Sequence, residues 1–289
     1  MVRLTAFASS IIKRLGQRFV VVSLLLWLAP VATAYSATGM DTGMDMEAAA
    51  SYEKLTREQV LEILSHSSEA APADLYSKDL TGLDLSGVNF RGANLTASLM
   101  NRANLSKANL SRFNLTVSFA EGANLSHANL QNAMMFSMQL KGADLTGANL
   151  SGARFIGDLR GANLQGANMT KMDGAVDTKN QSMGLMRASI VSANLQGADL
   201  SGADFLKADF SFSTLTGVNL TGANLFNADL SGTDFSSANL SHANLREAKI
   251  IDTDFTGADL TDADFTGAEF RGVKGLDKAR AEKAKGLPH

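Results

Sequence analysis

Three methionines fall close together, at Met40, Met44 and Met46, in a run that also carries Asp41 and Asp45. Thioethers are soft donors suited to Cu(I), so these three are a candidate metal site in a chain without cysteine. The commoner use of methionine is apolar filling, which is the expectation for Met100, Met135, Met138 and Met169. His66, His127, His242 and His289 are far apart and share no metal spacing, so they are read as single surface residues. Serine is abundant, yet no Gly-x-Ser-x-Gly elbow occurs. The Asn-x-Ser/Thr sequons from Asn94 to Asn239 arise from a repeated sequence and carry no specific signal. No catalytic residue and no cofactor is assigned, and binding is expected in place of catalysis.

What positions these residues is a beat of five. Leucine or phenylalanine returns at Leu75, Leu80, Leu85, Phe90 and Leu95, and again at Leu195, Leu200, Phe205, Phe210 and Leu215. A period of five fits neither a helix nor a strand, and marks a solenoid. Between Ala188 and Phe270 all 17 centres are Leu, Ile or Phe, and all 17 residues two before them are Ala, Ser, Val or Thr. Chance does not give that pattern.

Runs such as Ala193-Asn194-Leu195-Gln196-Gly197 and Ala198-Asp199-Leu200-Ser201-Gly202 resemble the pentapeptide-repeat family. The resemblance implies an all-β fold in which four pentapeptides form a square coil and coils stack into a right-handed quadrilateral β-helix. In that family the centre and the residue two before it point inward. Residues 71–274 are expected to form about nine to ten such coils, roughly 45 Å long at the spacing of a sheet. The resemblance also raises DNA mimicry and topoisomerase binding. The acidic residues here do not support it: Asp209 and Asp229 fall on one side, Asp234 and Asp254 on the next, Asp204 and Asp264 on a third.

The flanks read differently. Arg3, Lys13, Arg14 and Arg18, the apolar run Phe19 to Leu28, and Ala32-Thr33-Ala34 make residues 1–34 a secretion signal cleaved after Ala34. A periplasmic or secreted chain with no stable membrane insertion is expected. The signal holds four of the 26 basic residues and none of the 29 acidic ones, so its removal moves the net charge from -3 to -7. That balance speaks against nucleic acid as a partner. Residues 35–52 are expected to be a flexible linker. Within 53–70 a short helix should run from Arg57 to His66, capped by Thr56 and Gln59, with Val60, Leu61 and Leu64 on its apolar side. It would cover the first open edge of the solenoid. Residues 275–289 are expected to be a basic tail, with Asp277 as cap and Gly286 as stop of a second short helix.

Function should lie where outward residues break the rule. Folded at twenty residues per coil, the position after the centre on one side reads Phe136, Ile156, Met186, Leu206 and Phe226, with Met134 beside them. Such an apolar stripe marks an interface, with an unknown protein partner or with a second copy of the chain. The beat also breaks: Leu159 follows Phe155 after four residues, and centres vanish between Met169 and Leu185. An extruded loop at 170–184 is expected, whose Met172 and Val176 either join the partner site or cover the stripe.

Overall fold

Each five-residue unit forms one side of a coil because it ends in a turn that the sequence supports twice over. The carbonyl of Leu105 accepts a hydrogen bond from the Ala108 amide at 3.0 Å. Between them Lys107 has φ 60°, the left-handed conformation that the second inner position of a type II turn requires. Asn104, just before the centre, holds the same turn from outside by accepting the Ser106 amide on Oδ1 at 3.2 Å.

Four such turns bring the chain back to the same side after twenty residues. Parallel bridges then stack in register, as in Asp84 to Asn104 to Asn124 to Asp144 on one side and Asn89 to Asn109 to Asn129 to Asn149 on the next. The Leu105 amide donates to Asn124 O at 2.7 Å, and the Asn104 amide donates the other way, to Leu83 O at 2.8 Å. Adjacent amides therefore tie each side to the coils on both flanks. Outside the wall, side-chain amides repeat the ladder: Asn244 Nδ2 donates to Asn224 Oδ1 at 2.9 Å, and Asn224 Nδ2 donates to Asp204 Oδ1 at 2.8 Å.

The computed structural model describes residues 52–68, 71–90, 92–176 and 187–288, all within the compact unit Tyr52–His289. Residues 1–51, which hold the expected secretion signal, all of the expected linker but Tyr52, and Met40, Met44 and Met46, lie outside these residues. Among the described residues no helix is long and apolar enough to cross a membrane, and no group of three or more His, Asp or Glu could hold a metal.

The interior is the stack of centres, closed at the corners by alanines. Met100, Met135, Met138 and Met169 are all buried there. Towards the C-terminus phenylalanines take over: Phe205 meets Phe210 edge-on at 5.0 Å, and Phe235 lies flat on Phe255 at 5.5 Å.

At the N-terminal end, β1 (Glu53–Lys54) pairs parallel with β2 (Lys78–Asp79). Helix α1 (Arg57–Ser65) follows, with the expected capping box: Thr56 Oγ1 accepts the Gln59 amide at 3.3 Å and Gln59 Oε1 accepts the Thr56 amide at 2.7 Å. Val60 and Leu64, four residues apart, are buried in the same core as Leu75 and Leu80. Leu61 is not with them. It lies about 100° further round the helix and is 39% exposed, contrary to expectation.

The middle of the chain departs further from expectation. Longer strands β3 (Met134–Gln139) and β4 (Arg154–Asp158) pair there, with an irregularity between Phe136 and Met138 where the second strand is one residue short. Gly157 takes the tightened corner, and a Cβ on it would overlap the Met138 carbonyl oxygen. After that step the beat of five continues through Leu159, Leu164 and Met169 to Gly174, a centre without a side chain. Asp173 bridges Arg154 on one flank and Asp204 on the other, so Gly174 stacks between Phe155 and Phe205. The Phe205 ring fills the vacant space, 2.5 Å from where a Cβ would stand. Residues 170–176 are therefore wall and not loop, and the rest of the expected loop, 177–184, lies outside the described residues. Met172 is fully buried in the core, and Asp173 stays outside because the coil is a residue short.

Near the C-terminus β5 (Lys249–Ile251) pairs with β6 (Glu269–Arg271). The tail beyond them is not the expected helix. Only a 3-10 turn forms, at Leu276–Lys278, and no side chain caps it. Lys274, Arg280 and Lys285 instead bridge Asp254, Asp259 and Asp264, extending the wall. Open backbone edges offer this segment a row of partners that an isolated short helix cannot match.

Candidate partner-binding face

The corner between the side bearing Leu115 and Met135 and the side bearing Ala120 and Leu140 is where outward apolar residues gather. Every coil passes this corner through the two residues after a centre, and the parallel ladder lines them up. Phe136 is in register with Ile156, the Val176 amide donates to Leu206 O at 3.1 Å, and the Lys207 amide donates to Phe226 O at 2.9 Å. Ala175, just after the Gly174 centre, takes the place expected for Met186, which lies outside the described residues.

The column is not evenly exposed. Phe136, Leu206 and Phe226 are half-buried, whereas Ile156 is fully buried and Ala175 and Val176 nearly so. The expected continuous stripe is thus two half-exposed stretches either side of a buried middle. Met172 and Val176 belong to the wall, so neither acts as a cover folded over the stripe. Met134, one residue before its centre, is 53% exposed in a ladder otherwise made of residues such as Asn114, Arg154 and Asp204.

Sequence reasoning overlooked part of this corner. Leu99 and Phe119 occupy the position before the centre on the adjoining side, where most coils place Asn or Asp, and they bridge one another in register. Both are half-buried, as is Val117, whose amide donates to Phe136 O at 2.8 Å. The signal was present in the same five-residue ruler, read one residue before and two residues after the centre. A second outlying aromatic, Phe212, is 68% exposed at a left-handed corner.

Two cations beside the corner are paired with carboxylates. Arg154 pairs with Asp173, and Arg187 Nη2 meets Asp209 Oδ2 at 2.8 Å. Burial alone would raise the Asp158 carboxyl, but hydrogen bonds from the Arg160 side chain and amide outweigh it and hold that carboxyl below its ordinary value. The two are joined by contacts of 2.6 Å and 2.9 Å. What the corner offers a ligand is mainly apolar area, with Lys207 beside it. Among the described residues the corner brings together no nucleophile with a base and no converging acids.

A family model described as pentapeptide repeats matches in eight copies, over residues 79–116, 121–157, 139–173, 185–222, 203–241 and 238–274. No curated protein matches the chain. Among solved structures the chain is similar to HetL, a pentapeptide repeat protein involved in heterocyst differentiation regulation from the cyanobacterium Nostoc sp. strain PCC 7120. That match is 28% identical over 76% of this chain and 96% of that one, with a TM-score of 0.36. It is also similar to QnrB1, a plasmid-mediated fluoroquinolone resistance protein, at 20% identity over 65% of this chain and 87% of that one, TM-score 0.39. A pentapeptide repeat protein from the Arabidopsis thaliana thylakoid lumen matches at 25% identity over 40% of this chain and 66% of its own, TM-score 0.20.

Proposed function

The chain belongs to the pentapeptide-repeat family, whose members form right-handed quadrilateral β-helices, and we propose that it is an exported, non-catalytic scaffold that holds a protein partner on its apolar corner. The observation that carries this reading is the half-exposed set Phe136, Leu206 and Phe226 on a ladder where other coils put Thr96, Thr116, Arg246 and Thr266. Grouped exposed apolar residues on a regular solenoid have no role in the fold and are the usual material of an interface. Leu99 and Phe119 extend the same surface onto the next side.

Export rests on the signal pattern in residues 1–34, with cleavage after Ala34 and a periplasmic or secreted destination. The mature protein in this reading is a stack of about nine to ten coils, on the order of 45 Å long. Helix α1 closes its first edge through Val60 and Leu64, which protects that edge from pairing with other chains. A stiff rod with one apolar corner suits the holding of a partner in fixed orientation, and a second copy of the chain can occupy the same corner.

Crosslinking in the native compartment, followed by identification of what is captured, tests the reading. Leu206→Asp and Phe226→Asp should each remove the dominant crosslink while leaving the circular dichroism of the β-helix unchanged. Every crosslink surviving both substitutions would reject the corner as the site. Retention of the chain in the cytoplasm with its first 34 residues attached would reject export.

A further inference from the structure

The two ends of the solenoid have opposite characters. At the C-terminal end the inward residues lose their cover: Phe270, Val273, Leu276 and Leu287 are only half-buried, where the centres before them are fully buried. Around this open apolar section stand Arg271, Lys274, Lys278 and Lys283, all exposed. In the same segment Arg280 is paired, to Asp259 and Glu282. The N-terminal end is finished differently. Helix α1 buries Val60 and Leu64 and turns Glu58, Leu61 and Glu62 to solvent. The cations there stand near carboxylates: Lys78 pairs with Glu53, and Asp79 and Asp84 are held below their ordinary values first by hydrogen bonds from Thr81 and Ser86, and additionally by Lys54 and Arg57.

An apolar centre with a cationic rim fits an anionic partner, and its surroundings decide which kind. Exposed Asp252, Asp262 and Glu269 lie no more than about two coil spacings from the rim, within roughly a Debye length of it. A broad anionic plane such as a lipid surface would meet those carboxylates together with the rim. A partner that touches only the end section meets Arg271, Lys274, Lys278 and Lys283 together with exposed Asp277, while Glu282 is engaged by Arg280, so the rim it meets is net positive. Two C-terminal ends set against each other would oppose cation to cation.

We propose that the C-terminal end of one molecule receives the outer face of helix α1 of a second copy. Leu61 then rests on Phe270, Val273, Leu276 and Leu287, and Glu58 and Glu62 face the rim. Such a contact is heterologous: each joined pair keeps one free end of each kind, so association continues head to tail. The end section is small, so the contact is weak and salt-dependent. It uses no residue of the apolar corner and stands independently of the function proposed above.

Sedimentation velocity of the purified protein over a range of concentrations tests it. Association should grow with concentration at low ionic strength and vanish near 1 M salt, where screening reaches about 3 Å. The pair Glu58→Lys with Glu62→Lys should raise the concentration needed by at least about tenfold, and so should Lys278→Glu with Lys283→Glu. Mixing these two charge-reversed proteins should restore association, since each then offers an end complementary to the other. A folded wild type that stays monomeric throughout overturns the proposal, as does association that ignores both reversals. Loss of association on Leu206→Asp or Phe226→Asp would assign the contact to the apolar corner and overturn it equally. So would binding to phosphatidylglycerol vesicles that Lys278→Glu with Lys283→Glu abolishes while self-association persists.

Discussion

The coils before Val176 and those after Arg187 share one turn and one ladder, and they differ in what fills and covers them. The earlier half packs Met100, Met135, Met138, Met169 and Met172 inside and sets Leu99, Phe119 and Met134 outside, and one of its coils is a residue short. The later half is regular. Its phenylalanines touch in defined geometries, Phe235 flat on Phe255 and Phe265 edge-on to Phe255 at 6.1 Å. Methionine has three rotatable bonds and accommodates an irregular cavity, whereas a ring fills a regular one and fixes its neighbours. The irregular half thus departs from the repeat both in its wall and in its surface, and most of the outward apolar residues belong to it.

The largest effect should separate the two interiors directly. Phe255→Ala removes a ring held between two others and should cost about 3–5 kcal/mol in urea unfolding. Met135→Leu, in the earlier half, keeps the volume and should cost less than about 1.5 kcal/mol. Equal losses would mean that the two cores tolerate change alike and that the contrast is one of composition only. Next in size is the shortened coil. Gly157→Ala drives a methyl into the Met138 carbonyl and should cost about 3 kcal/mol, because the obstacle is backbone. Gly197→Ala in the regular half meets nothing within 4 Å and pays only the left-handed penalty, about 1 kcal/mol.

The regular half was legible in the sequence almost residue by residue, because there each position obeys one rule. The irregular half was legible only where its centres stayed large. Gly174 is a centre with no side chain, and it works because Phe205, which follows it by thirty-one residues, supplies the missing volume. No local pattern reveals that, so the wall was expected to end before Met172. Leu99 and Phe119 are less legible for a simpler reason: they stand one residue before their centres, where most coils carry Asn or Asp and no apolar pattern runs from coil to coil. Thr56 and Gln59 announced their helix correctly since a capping box is a local device. Asp277 and Gly286 announced one that did not form, because the amides of the tail reach open acceptors on the preceding coil, such as Ala258 O and Ala263 O.

The smallest contrast lies in the hydroxyls that replace alanine at inner corners. In the regular half each has its own acceptor twenty-three residues back: Ser213 Oγ donates to Ile190 O, Thr233 Oγ1 to Phe210 O at 3.1 Å and Thr253 Oγ1 to Leu230 O at 2.8 Å. In the earlier half Ser98 and Ser118 share one carbonyl, that of Leu95, at 2.7 Å and 2.8 Å. A carbonyl oxygen has two lone pairs, and Leu95 O also faces the Ser98 amide at 3.2 Å. Ser118→Ala therefore leaves that acceptor satisfied and should cost only a few tenths of a kcal/mol. Thr233→Val conserves shape but leaves Phe210 O with a single, longer bond from the Ser213 amide at 3.2 Å, and should cost about 1 kcal/mol. Urea midpoints at constant slope resolve the difference. If Ser118→Ala proves the costlier, the shared carbonyl is the tighter arrangement and the earlier half is better satisfied than its irregular packing suggests.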